Sequence, residues 1–144
     1  GITASYPTKS NEDGIAVTIR EMNKDFNGLL FTNLVDFDSL YGHRRDPEGY
    51  GRALEVFDRA LPGLMAATGK DDLLIITADH GNDPVHPGTD HTREYVPLLV
   101  YSPGFAESGK LETRPSFADL AATIADNFGV SFATHGHSFL KLLR

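Results

Sequence analysis

The sequence predicts an α/β fold, and three observations carry that prediction. Leu73–Thr77 (LLIIT) is an unbroken, mostly apolar run with two β-branched isoleucines, which is how a strand buried on both faces reads. Three other stretches repeat their apolar residues at helical spacing behind residues that cap helices. The resulting order is helix, strand, helix, strand, strand, helix, an alternation that belongs to α/β proteins and to a sheet with helices packed on it.

The elements follow in order. GITASYPTKS opens the chain with small polar residues and Pro7, an extended segment or loop. Ser10 or Asn11 then caps a helix whose first turn holds Glu12 and Asp13, and whose apolar positions are Ile15, Ile19, Met22 and Phe26. Asn27-Gly28 is its expected end. Leu29–Val35 (LLFTNLV) reads as a second buried strand. Asp46-Pro47-Glu48 starts the next helix, with Asp46 as cap and Pro47 at the first helical position. Its apolar face is Tyr50, Leu54, Phe57, Leu61, Leu64 and Met65. Pro62 is expected to kink or divide it, and Gly69 to close it. Lys70-Asp71-Asp72 turns the chain into Leu73–Thr77. A long loop follows over residues 81 to 95, of the kind that is often functional in compact domains. Val96–Tyr101 reads as a third strand, starting late or lying near an edge because Pro97 has no ladder donor. Ser116 caps a last helix with Asp119 placed for a capping box, Phe117, Leu120, Ile124 and Phe128 form its face, and Gly129 stops it. The tail GHSFLKLLR adds a short helix or strand.

The 144 residues suffice for a domain of ordinary size, and 40% hydrophobic with 23% charged residues is a globular composition. The formal charge of −7 argues against a nucleic-acid partner and against an anionic membrane surface. With no cysteine there is no disulfide framework and no thiol chemistry. The longest apolar runs are too short to span a bilayer, and no leader of basic and apolar regions opens the chain. The expectation is a cytoplasmic protein. Gly1-Ile2-Thr3 reads as the middle of a longer chain.

The chemistry-bearing residues gather where strands end or loops cross them: Asp36 and Asp38, His43, Asp79 and His80, Asp90 and His91. Ligands of open α/β sheets collect at the carboxyl ends of strands. Each residue has an ordinary alternative. Asp36 and Asp38 suit a turn. His43 lies beside Arg44 and Arg45 in what could be a surface basic cluster. Asp79 could cap a turn beside a surface histidine, and His91 could serve a loop hydrogen bond. Together, however, the repeated Asp/His pairing points to metal, and imidazole with carboxylate suits Zn²⁺ or Mn²⁺ better than Ca²⁺ or Mg²⁺. Five or six such ligands exceed the need of one tetrahedral ion. Two ions, as in phosphoryl-transfer enzymes, are the economical reading. Of the two early aspartates Asp38 is the favoured ligand, Asp36 lying closer to the strand body. His86, His135 and His137 read as exposed loop histidines.

The strings NLVDFDSLYGHRRD (Asn33–Asp46), ITADHGND (Ile76–Asp83) and PGTDHTREYVPLLVY (Pro87–Tyr101) resemble the phosphopentomutase family, part of the alkaline phosphatase superfamily. GITASYPTKSN, FADLAATIADNFGV and SFL extend the resemblance over nearly the whole chain. The resemblance implies a three-layer sandwich around a mostly parallel sheet, here a partial alkaline-phosphatase-like core. It implies interconversion of ribose 1-phosphate and ribose 5-phosphate, and of the deoxyribose pair, with two divalent ions, usually Mn²⁺. Asp38, His43 and His91 would hold one ion, and Asp79 and His80 the other. The family's nucleophilic threonine, a further aspartate ligand and a cap domain have no counterpart in these 144 residues. The chain is therefore expected to be the C-terminal portion of the metal-binding core, without mutase activity by itself, and to self-associate or pair with a separate N-terminal part. Cofactor-independent phosphoglycerate mutase shares the ADHGN string, but its first aspartate and histidine stand closer than Asp38 and His43. A truncated metal-binding domain without turnover is the reading from a different class.

Overall fold

A computed structural model describes residues 1–143, and the chain falls into two compact units, Gly1–Pro103 and Gly104–Arg144. In the first, α1 (Asn11–Met22) starts where the sequence places it: the Ser10 hydroxyl accepts from the Asp13 amide at 3.2 Å. It ends earlier than the Asn27-Gly28 signal, because the Asn23 side chain donates to the Ile19 carbonyl at 2.7 Å and closes the last turn. Phe26 is left outside the helix and half exposed. Helix α2 (Pro47–Ala67) begins on the Asp46 carboxylate, which accepts from the Gly49 amide at 2.8 Å. Pro62 does not divide it. The carbonyl that a proline leaves without a partner is that of the residue four back. Here that residue is Asp58, which is exposed, so water can serve its carbonyl. Thr68, rather than Gly69, finishes α2 by donating its hydroxyl to the Leu64 carbonyl at 2.9 Å. Helices α1 and α2 pack together, with Ile15 and Leu64 as the buried apolar residues, while Leu54 of the expected apolar face is half exposed.

The sheet differs from the expectation. Strands β1 (Leu74–Thr77) and β2 (Leu98–Tyr101) form one antiparallel pair, Leu74 opposite Tyr101 and Thr77 opposite Leu98. No parallel pair occurs among the described residues, so the mostly parallel sheet is not what is observed, although helices with a sheet remain an α/β arrangement. The apolar run of β1 is only partly buried, since it has a partner on one edge alone. Leu29–Val35 joins no ladder among the described residues, and Leu29, Phe31 and Val35 are exposed. Apolar content made this stretch look like a strand, but a strand exists only through its neighbour's hydrogen bonds. β2 starts after Pro97, as the missing donor requires.

In the second unit, α3 (Ala118–Asn127) ends on Gly129 at φ 62°, with the Gly129 amide bonded to the Asp126 carbonyl and the Val130 amide to the Ala125 carbonyl. That is a Schellman stop, and the left-handed φ is why glycine stands there. Its start differs from the capping-box reading. The Asp119 carboxylate turns away from the helix end, accepts from the His137 amide at 2.9 Å and pairs with Arg114 at 2.7 Å. Asp119, Ala122 and Thr123 are buried, whereas Phe117 and Phe128 are exposed, so the covered face is rotated from the expected one. What covers it is the tail. Phe139 is fully buried and its amide donates to the Thr123 hydroxyl at 3.0 Å, ahead of a short 3₁₀ turn at Leu140–Leu142. Among the described residues no helix is long and apolar enough to cross a membrane.

Candidate metal centre

The site lies in the first unit and begins with a turn of unusual width. Phe37–Gly42 is a π-helical turn, closed by the His43 amide on the Asp38 carbonyl at 2.9 Å. Asp46 repeats the five-residue step onto the Tyr41 carbonyl at 3.0 Å. On an α-helix, residues five apart point about 140° away from each other. The wider turn removes most of that divergence and puts Asp38 and His43 on one face, with Asp38 Oδ2 and His43 Nε2 3.3 Å apart. Single π turns inside helical segments are frequent at functional sites.

The other side is supplied by the loop after β1. The antiparallel pairing is extended by a bridge between Gly81 and Thr92, whose amide donates to the Gly81 carbonyl at 3.0 Å. Residues flanking a bridge come together in space, so His80 and His91 meet despite eleven positions of separation. Their rings stack at 3.6 Å between centroids. His91 Nε2 lies 3.4 Å from Asp38 Oδ1 and 3.0 Å from His43 Nε2. His80 Nε2 is 3.9 Å from the same Asp38 oxygen and 3.6 Å from Asp79 Oδ1.

Asp38, His43 and His91 each offer a ligand atom within 4.8 Å of the others. Two atoms bound about 2.0–2.1 Å from a tetrahedral ion stand roughly 3.3 Å apart; here the two imidazole nitrogens are 3.0 Å apart, His43 Nε2 lies 3.3 Å from Asp38 Oδ2 and His91 Nε2 3.4 Å from Asp38 Oδ1. The tautomers agree. His43 Nδ1 meets the Thr89 carbonyl, which can only accept, so Nδ1 carries the proton and Nε2 presents a lone pair. His80 does the same through the Gly81 carbonyl at 3.1 Å. The facing Nε2 atoms of His43 and His91, 3.0 Å apart, are bridged by a proton or share a cation. Two imidazoles with a carboxylate are the donor types that suit a divalent ion of the Zn²⁺ or Mn²⁺ kind.

A match to the Metalloenzyme superfamily spans residues 1–132. The chain belongs to that superfamily. Membership supports a metal-dependent, enzyme-like function. The three-residue cluster is where this Metalloenzyme superfamily chain gathers candidate ligands.

The remaining sequence candidates have distinct fates. Asp79 is largely exposed, and His80 faces Asp38 as well as Asp79. The Asp36 carboxylate accepts from the Asn11 amide at 2.7 Å and the Asp36 amide donates to Asn11 Oδ1 at 3.1 Å, so this aspartate anchors the start of α1. Asp90 contributes its backbone carbonyl, not its carboxylate, by accepting from Arg45.

Sequence reasoning missed three neighbours. Asn82 Nδ2 donates to Asp38 Oδ1 at 2.6 Å and orients the carboxylate. It sits so close to the π turn that a Cβ on Gly42 would lie 2.4 Å from its amide nitrogen. Tyr50 sits near Asp38 and packs on Phe37 at 5.6 Å between ring centroids. Burial first, and then the Asp38 carboxylate, raise its phenol above the ordinary range. Arg45 is more than a member of a surface basic cluster: its guanidinium donates to the Asn82 side chain at 2.9 Å. The available signal was its place two residues after His43, and Asn82's place two after His80, each able to reach a ligand's neighbours. A cleft of about 260 Å³ opens beside His80, lined by Tyr50, Asn82, Glu94 and Tyr95 among others.

Proposed function

We propose that this chain is the metal-binding core portion of a phosphopentomutase-type enzyme, which interconverts (deoxy)ribose 1-phosphate and (deoxy)ribose 5-phosphate by metal-dependent phosphoryl transfer. The observation that carries the reading is the convergence of Asp38, His43 and His91, each with a ligand atom within 4.8 Å of the others, taken with the strings around those residues. Asp79 and His80 would contribute to a second ion, and Mn²⁺ is the proposed metal at both. When bound, such ions neutralise the charge of the phosphoryl oxygens, which leaves the protein mainly the work of positioning. This chain's own part is to orient the ligands. Asn82 fixes the Asp38 carboxylate, and the Thr89 and Gly81 carbonyls fix the tautomers of His43 and His80.

The π turn favours this reading over a phosphoglycerate mutase-like one. A five-residue spacing needs the wide turn to bring Asp38 onto the face of His43, and the wide turn is present. A shorter spacing would be served by an ordinary α-helical turn, where residues three or four apart already share a face. The three-layer, mostly parallel sheet remains part of the proposal for the whole enzyme. So does association of the exposed Leu29, Phe31 and Val35 stretch with a second copy or with a separate N-terminal part.

The test has two readouts. Calorimetric titration of the chain with Mn²⁺ is expected to show binding that EDTA reverses. The protein that carries this chain, assayed with Mn²⁺ on ribose 5-phosphate and on 3-phosphoglycerate, is expected to turn over the pentose phosphate alone, while the 144-residue chain turns over neither. Turnover of the phosphoglycerate instead, or of ribose 5-phosphate by the isolated chain, would sink the corresponding part of the proposal. Metal binding without any turnover by the protein would support the non-catalytic reading.

A further inference from the structure

Arg45 is the one non-glycine residue with positive φ among the described residues, at 55°. An L side chain rarely adopts that region, and a residue held there points to a constraint imposed by its surroundings. The constraint is visible in where its guanidinium goes. Nη1 donates to the Gly42 carbonyl at 3.1 Å, to Asn82 Oδ1 at 2.9 Å and to the Asp83 carbonyl at 2.8 Å. Nη2 donates to the Asp90 carbonyl at 2.7 Å, and Nε to the Gly88 carbonyl. Every acceptor belongs to a segment that carries or orients a candidate ligand. Gly42 ends the π turn beside His43. Asn82 holds Asp38. Gly88 and Asp90 flank Thr89, whose carbonyl receives His43 Nδ1, and Asp90 precedes His91.

We infer that Arg45 is the positioning residue of the metal centre. It does not offer a ligand, since a guanidinium has donors only. It spans the gap between the π turn and the loop after β1, so that Asp38, His43 and His91 converge before any ion arrives. The loop between Gly81 and Thr92 has no regular structure to set its shape; there Arg45 holds three backbone carbonyls, those of Asp83, Gly88 and Asp90, and the Asn82 side chain. Only a planar five-donor group reaches acceptors spread in this way; an ammonium does not. The left-handed backbone follows from the same demand, because it turns the side chain back across the mouth of the loop instead of outward with Arg44.

This inference rests on the metal-centre reading, and the experiment separates the two. Arg45→Gly removes the guanidinium while accepting the backbone angle without strain. Arg45→Lys keeps the charge and a long stem. Mn²⁺ affinity is measured by calorimetry, Co²⁺ at saturation is recorded by visible absorption as a reporter of ligand geometry, and far-UV circular dichroism records the helices of each variant. Arg45→Gly is expected to weaken Mn²⁺ binding roughly 10- to 100-fold, the usual cost of losing an outer-shell partner, and to alter the Co²⁺ band. Arg45→Lys is expected to fall between it and the wild type. Unchanged affinity and an unchanged Co²⁺ band in Arg45→Gly would overturn the inference and leave the metal centre standing. A wild-type chain that binds neither ion overturns both. Should Arg45→Gly lose its helices, Arg45→Lys decides: weaker binding with helices intact supports the role, and wild-type binding overturns it.

Discussion

Two aspartates, Asp38 in the first unit and Asp119 in the second, each tie separate stretches of chain together, and they do so in opposite chemical company. Asp119 has 2% of its side chain exposed and is met by donors: the Arg114 guanidinium at 2.7 Å and the His137 amide at 2.9 Å. Its negative charge is answered within the protein. Asp38 has 35% of its side chain exposed and receives one close donor, Asn82 Nδ2. Its other neighbours are the Nε2 atoms of His43, His80 and His91 at 3.3 to 3.9 Å, and the tautomers of His43 and His80 leave those two as acceptors. A carboxylate ringed by donors is finished. A carboxylate that faces the Nε2 lone pairs of two imidazoles stands in the company of a metal ligand. The contrast separates a structural aspartate from a ligating one without reference to its neighbours in sequence.

The largest effect expected from this contrast lies on the finished side. Phe139 is fully covered, and its amide and ring are packed against Thr123 and the Arg114 guanidinium. Phe139→Ala is expected to destabilise the second unit by about 3–5 kcal/mol, the cost of a buried phenylalanine with its cavity. Amide exchange of α3 in folded chain measures it, and Mn²⁺ affinity should stay at the wild-type value. A parallel fall in Mn²⁺ affinity would show that the two regions are energetically one.

Asp38→Asn sharpens the comparison from the open side. The amide keeps the shape and removes the charge. Mn²⁺ affinity is expected to fall by more than about a hundredfold, beyond what outer partners cost. In EDTA, however, the thermal midpoint should barely move, because no buried cation loses its counter-charge. A large drop in the EDTA midpoint would place Asp38 in the same structural class as Asp119 and break the contrast.

How far the sequence foretold these regions follows from how local the responsible physics is. Ser10, Asp46 and Gly129 act on backbone groups a few residues away, and each does what its capping chemistry requires. Helical period groups Met22 with Phe26, yet a single amide side chain, Asn23, ends α1 between them. Leu29–Val35 had strand composition, but pairing is a property of two segments, and composition names only one. The same non-locality hid the sense of the sheet. Asp38, His43 and His91 were legible as residue types, and the resemblance of their flanking strings supplied the grouping. The π turn that makes a five-residue spacing work was not legible, since no residue type marks it. Nor was Arg45, whose acceptors are mostly backbone carbonyls and so leave no trace in the letters of the sequence. The capping-box expectation for Asp119 rests on a local motif. Its actual partner, the His137 amide, is eighteen residues on.

The smallest expected effect is a dependence on pH that only the finished carboxylate should show in the second unit. The His137 amide, and then the Arg114 guanidinium, hold the Asp119 carboxyl below its ordinary value, against the opposing effect of burial. A depressed folded value means that the folded state favours the ionised form, so the stabilisation is complete above the unfolded value of about 3.9 and is lost as pH falls from there through the lower folded value. The protection of the His137 and Phe139 amides, corrected for intrinsic exchange, should therefore hold steady from neutral pH to about 5 and decline below about 4. The tail is held here through the His137 backbone amide, which donates to Asp119 Oδ1. In Asp119→Asn the acid decline should vanish, leaving lower protection at every pH, since an amide still accepts from the His137 N–H but no longer balances Arg114. Protection already lost well above pH 5 would assign the latch to another group, and protection unchanged down to pH 2 would remove Asp119 from it.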